Sequence, residues 1–232
     1  MMMEQKTWKI LIAGEGGQGV QSIGELLAEA AFRAGKEALY IPNFGVEQRG
    51  GVSIAFVQIA EGAIGAPKFQ KADLVAVLSE RAGERIKGYL RPGTIYLYDQ
   101  SALKPPVIDD RTVGIQGYET VAPEAFARMT GTEPGPPPRP PAADGVRVVG
   151  IPAAQVAKTE LTNRVFNIIV LGAILQLLQV LSPAQVEAAI EKKFGEKFRD
   201  NPELKTMNLQ ALAKGWELAA APEAVRSSKI FR

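Results

Sequence analysis

The chain has 232 residues, 46% of them hydrophobic and 22% charged, with a formal net charge of +2 and neither cysteine nor histidine. Length and composition fit one substantial globular core, and a near-neutral charge sets up no strong field for nucleic acid or a membrane surface. The two missing residue types exclude thiolate-held iron–sulfur clusters, the usual zinc sites, disulfides, a nucleophilic thiol and an imidazole base.

Lys9 to Ala13 reads as a buried first strand, and Val20 to Ala34 repeats apolar residues at helical spacing before the stop signal Gly35. A short second strand covers Glu37 to Ile41, and Val52 to Ile59 is the next. Ala72 to Leu78 is a further buried strand, followed by a helix over Ser79 to Leu90 with Ser79 as its N-cap. A strand over Thr94 to Asp99 enters through Arg91-Pro92-Gly93. Strands alternating with helices predict an α/β fold: Rossmann-like, with a largely parallel sheet, helices on both faces and a helical C-terminal part. Pro134 to Pro141 holds six prolines in eight residues, which predicts an extended loop over 132–145. A short strand over Val146 to Val149 precedes helices over Asn163–Leu181, Pro183–Phe194 and Asn208–Ala219, and 226–232 reads as a loose tail. The whole, 1–232, is expected to be a single domain.

The helix over Asn163–Leu181 is apolar on most faces, so one face is expected on the sheet and part of another against a partner chain. Asn167, Gln176 and Gln179 interrupt it, and it is too polar and too short to span a membrane. The N-terminus has no basic stretch followed by an apolar core, and the absence of cysteine fits a cytoplasmic protein.

Behind the first strand stands Gly14-Glu15-Gly16-Gly17-Gln18-Gly19-Val20. A strand that turns through glycines into a helix offers unpaired N–H groups and the positive end of the helix dipole to an anion. Gly14, Gly16 and Gly19 match G-x-G-x-x-G, but the second strand ends Tyr40-Ile41-Pro42-Asn43, without the acid that would hold a dinucleotide's ribose. Three readings stay open: a phosphate ligand or partner surface, a nicotinamide-dependent oxidoreductase, and glycines that serve packing alone in a scaffold. The segment Pro42-Asn43-Phe44-Gly45-Val46-Glu47-Gln48-Arg49-Gly50-Gly51 leaves the second strand at the same edge of the sheet. Arg49 in that setting suits a bidentate grip on phosphate or carboxylate, with Glu47 orienting it.

Gly14 to Val20, the following helix with Gly24, Leu27 and Ala28, and Pro42 to Gly51 together resemble the gamma subunit of 2-oxoacid:ferredoxin oxidoreductases. Lys71-Ala72-Asp73, Arg164-Val165-Phe166-Asn167, Leu171-Gly172-Ala173, Asn201-Pro202-Glu203-Leu204 and Asn208-Leu209 extend the resemblance over about residues 8–220, with a departure at Thr132 to Gly145. The resemblance implies a complex that converts a 2-oxoacid and coenzyme A to acyl-CoA and CO2 and passes electrons to ferredoxin or another acceptor. It also implies alpha, beta and iron–sulfur (delta) type partners that carry thiamine diphosphate, magnesium and the clusters, with no nucleic acid or membrane partner. This chain would complete the complex and share in binding coenzyme A, with no catalytic or metal-ligating residue of its own. The candidate binding residues are Gly14, Gly16, Gly17, Gln18, Gly19, Val20, Glu47, Arg49, Gly50, Gly51 and Asn167.

Overall fold

A computed structural model describes residues 6–44, 51–108, 145–221 and 225–227. In chain order these form β1 (Thr7–Glu15), α1 (Val20–Arg33), β2 (Glu37–Phe44), β3 (Val52–Ala60), β4 (Leu74–Val77), α2 (Glu80–Ile86) and β5 (Ile95–Asp99). β6 (Arg147–Ile151), α3 (Ala153–Glu160), α4 (Phe166–Leu178), α5 (Pro183–Asp200), α6 (Pro202–Ala220) and β7 (Val225–Ser227) follow. The seven strands make one sheet in the order β2-β3-β1-β4-β5-β6-β7.

β1, β4, β5 and β6 pair in parallel, whereas β3 is antiparallel to both β1 and β2, and β7 is antiparallel to β6. β2 therefore runs the same way as β1, and only β3 and β7 oppose the rest. The reversal at β3 has a simple cause. A parallel return needs a crossover of about a dozen residues, and the stretch between Phe44 and Val52 is too short to supply one. The expected loose tail is corrected at its start: Ser227 pairs with Arg147 and Arg226 with Val148, giving the sheet an antiparallel edge. Residues 228–232 and the prolines of the 132–145 loop lie outside the described residues.

Alternation along β1 divides the core. Ile10 and Ile12 join the larger apolar cluster with α1, α3, α4, α5 and α6, while Leu11 and Ala13 face the smaller one with Ala82 and Ile86 of α2. Both faces are covered, and so the strands read as continuous apolar runs. Ser79 caps α2 as expected, its hydroxyl accepting from the Ala82 N–H at 3.2 Å. Ser182 and Gln185 form a reciprocal capping box at the start of α5. α3 was not expected; its eight residues bury only Ala153, Val156 and Ala157, too few to show a periodic stripe.

Most of α4 is covered by this chain itself: Ile168 through Leu175 are buried, while Phe166, Leu177 and Leu178 at its two ends stay half-buried. α6 crosses α4 so closely that a Cβ on Gly172 would overlap the Leu212 carbonyl oxygen, and one on Gly215 the Ile169 carbonyl oxygen. α1 is tied to α5 by ion pairs from Lys192 to Glu29 and Lys193 to Glu25. Hydrogen bonds from Lys192 and then Arg33 hold the Glu29 carboxyl below its ordinary range. No helix among the described residues is long and apolar enough to cross a membrane.

Candidate functional site

The glycine turn lies where β1 and β4 end, and β1 is the strand at which the connections change direction: one goes to β2 and β3, the next to β4. Ligands of open α/β sheets bind at such switch points. The β1–β3 ladder pairs Gly14 with Ser53 and Glu15 with Val52, and Gly16 extends it by donating to the Gly51 carbonyl at 3.1 Å. Gln18 donates its backbone N–H to the Glu15 carbonyl at 3.1 Å, closing the turn.

Gly14 is buried within β1, while Gly16 and Gly17 are exposed. Gly17 (φ 99°) and Gly19 (φ 77°) lie in the left-handed region that favours glycine. Gly19 is also the N-cap of α1, with no side-chain cap and no acidic residue in the first turn. The opening N–H groups of the helix are therefore left for an outside acceptor. Val20, the first helical residue, is buried and serves packing.

Asn167, at the start of α4, stands directly against the turn. A Cβ placed on Gly19 would lie 2.7 Å from the Asn167 Cβ and 2.9 Å from its Cγ and Nδ2. The structure thus joins two candidates that are far apart in sequence. The second segment is placed at its ends: Phe44 pairs with Ser53, and Gly51 is buried and bonded to Gly16. Both ends lie at the sheet edge that carries the glycine turn, and Gly51 is the one bonded to it. Glu47, Arg49 and Gly50 themselves fall outside the described residues.

Three residues at this site escaped the sequence reading. Gln21 donates from Nε2 to the Ser53 hydroxyl at 2.7 Å and to the Ile54 carbonyl at 3.1 Å, and the Tyr40 hydroxyl donates to Gln21 Oε1 at 2.6 Å. Burial, then the nearby Glu25 carboxylate, pushes the Tyr40 phenol up, keeping it a neutral donor. These bonds fix the first turn of α1 to β2 and β3. No local pattern marks them, because each partner comes from a different element.

A nicotinamide site meets a second obstacle besides the absent acid. β3 lies between β1 and β2, so the end of β2 stands two strand spacings, about 9–10 Å, from β1. Among the described residues no group of His, Cys, Asp or Glu is placed to hold a metal ion.

Comparisons with known proteins agree with this geometry. The chain is 29% identical over 212 residues to the ketoisovalerate oxidoreductase subunit VorA of Methanothermobacter thermautotrophicus, covering 91% of this chain and 36% of that one. It spans about a third of the length of that relative. The pyruvate synthase subunit PorC of Thermotoga maritima is 26% identical over 219 residues, with 94% of this chain and 97% of PorC covered. The solved 2-oxoglutarate:ferredoxin oxidoreductase of Magnetococcus marinus, with 2-oxoglutarate, coenzyme A and succinyl-CoA bound, superposes at a TM-score of 0.70. That likeness has 28% identity and covers 99% of this chain and 33% of the solved one. The family model for pyruvate ferredoxin/flavodoxin oxidoreductase matches residues 9–218, and the chain belongs to that family.

Proposed function

We propose that this chain is the gamma-type part of a 2-oxoacid:ferredoxin oxidoreductase, which converts a 2-oxoacid and coenzyme A to acyl-CoA and CO2 and sends two electrons to ferredoxin or another acceptor. One observation carries the reading: a family match running through nearly the whole described fold, from β1 to α6. Thiamine diphosphate supplies the decarboxylation chemistry when bound, and with its magnesium and the clusters it belongs to alpha, beta and delta-type partners. Support comes from the residues. A chain without cysteine offers no thiolate to a cluster, and the glycine turn offers donors to an anion but no metal-binding carboxylate group. The setting is cytoplasmic, as the cysteine-free sequence suggests.

Within that complex the chain's own residues bind and orient coenzyme A. The uncapped N–H groups that open α1 receive a phosphate oxygen, and the Arg49 guanidinium grips the diphosphate or the 3′-phosphate, steadied by Glu47. Asn167 presses on Gly19 and keeps the turn in its binding shape. Calorimetry and steady-state kinetics on the assembled complex test this. A charge-assisted hydrogen bond is worth about 1.5–3 kcal/mol, so Arg49→Ala should weaken coenzyme A binding by roughly 10- to 150-fold. Unchanged affinity would remove coenzyme A from this edge and leave a scaffold.

A further inference from the structure

The β1–β4 ladder ends in an unusual way. Leu78 still donates its N–H to the Ala13 carbonyl at 2.8 Å. In an unbroken parallel ladder the next bond would run from the Glu15 N–H to the Leu78 carbonyl. Instead the Glu15 N–H donates to Gln18 Oε1 at 2.6 Å, and Gln18 Nε2 donates to the Leu78 carbonyl at 2.8 Å. One side-chain amide, through one of its N–H groups and its oxygen, stands in the ladder as a substitute peptide group.

Gly14 makes that insertion possible. A Cβ there would lie 2.6 Å from Gln18 Oε1 and 2.9 Å from Val20 Cγ2. The carboxamide oxygen and one of its N–H groups are thus engaged within the chain. The amide occupies the space between the ends of β1 and β4, at the switch point of the sheet.

We propose that Gln18 is a positioning residue: its carboxamide wedges β1 from β4, sets the shape of the glycine turn and closes the switch-point crevice to dinucleotides. That this shape serves a phosphate of coenzyme A rests on the function proposed above. Hydrogen exchange of the turn amides and coenzyme A kinetics, both on the reconstituted complex, test the two statements separately.

Gln18→Met keeps the volume and loses both bonds. It should speed exchange at Glu15 through Gly19 at least tenfold and raise KM for coenzyme A about tenfold, with the effect on KM rather than kcat. Gly14→Ala leaves Gln18 in place but evicts its amide, and should give the same exchange signature. Because both act through one contact, the double variant should be no worse than the more severe single one. Should Gln18→Met fail to assemble, Gly14→Ala and Gln18→Glu, which keeps the acceptor and loses the donor to Leu78, carry the exchange measurement. Exchange at wild-type rates in these variants overturns the wedge. Faster exchange with an unchanged KM supports the wedge and removes coenzyme A from the turn.

Discussion

Gly19 and Asn167 show how one residue can be constrained twice. Gly19 has a backbone conformation disfavoured for side chains, and its open side is taken by Asn167. Gly17 shares only the first constraint, since among the described residues nothing lies within 4 Å of where its Cβ would be. Backbone strain of this kind costs about 1–3 kcal/mol. Gly17→Ala should therefore show that cost alone, and Gly19→Ala should exceed it in chemical denaturation. Replacing Asn167 by Gly should recover part of the Gly19→Ala loss and none of the Gly17→Ala loss. A rescue of both would mean that the contact with Asn167 contributes nothing specific.

At the scale of elements, the decisive contact is the crossing of α4 and α6. Side chains normally hold helix axes 8–10 Å apart, but at Gly172 and Gly215 each backbone rests on the other's carbonyl. This closeness lets α6 cover much of a helix that is apolar nearly all round. Overpacking costs about 1–3 kcal/mol, occasionally more, so Gly172→Ala should lower stability by at least that much in urea titration. Gly195→Ala in α5, where nothing lies within 4 Å, is the control and should stabilise slightly by its helix propensity. Because α4 also carries Asn167 at its start, loosening the crossing should raise exchange at the glycine turn as well.

Among the described residues the sheet has unequal covers: five helices pack on one face, and α2 with irregular chain packs on the other. Its carboxyl edge gathers the glycine turn, both ends of the 45–50 segment and the start of α4. In the proposed function decarboxylation belongs to thiamine diphosphate on partner subunits, and this chain carries neither cysteine nor histidine. The purified chain should show no 2-oxoacid-dependent reduction of ferredoxin, and activity should appear on adding the partner subunits. Turnover by the chain alone would sink the assignment.

Much of this was legible in local pattern. Six strands, the cap Ser79 and the glycine turn can be read from periodicity and turn chemistry, which act over a few residues. Chain order alone did not reveal that β3 slips between β1 and β2, that α6 packs on α4 backbone to backbone, or that the tail begins as a strand.

Gln18 marks the boundary between the two kinds of knowledge. The sequence determined that a glutamine stands among glycines between a buried strand and a helix. Only the tertiary structure decided that its amide accepts from Glu15 and donates to Leu78, sixty positions away. The physical reason is that backbone preference depends on near neighbours, whereas a side chain's partner depends on which strands and helices come together in space.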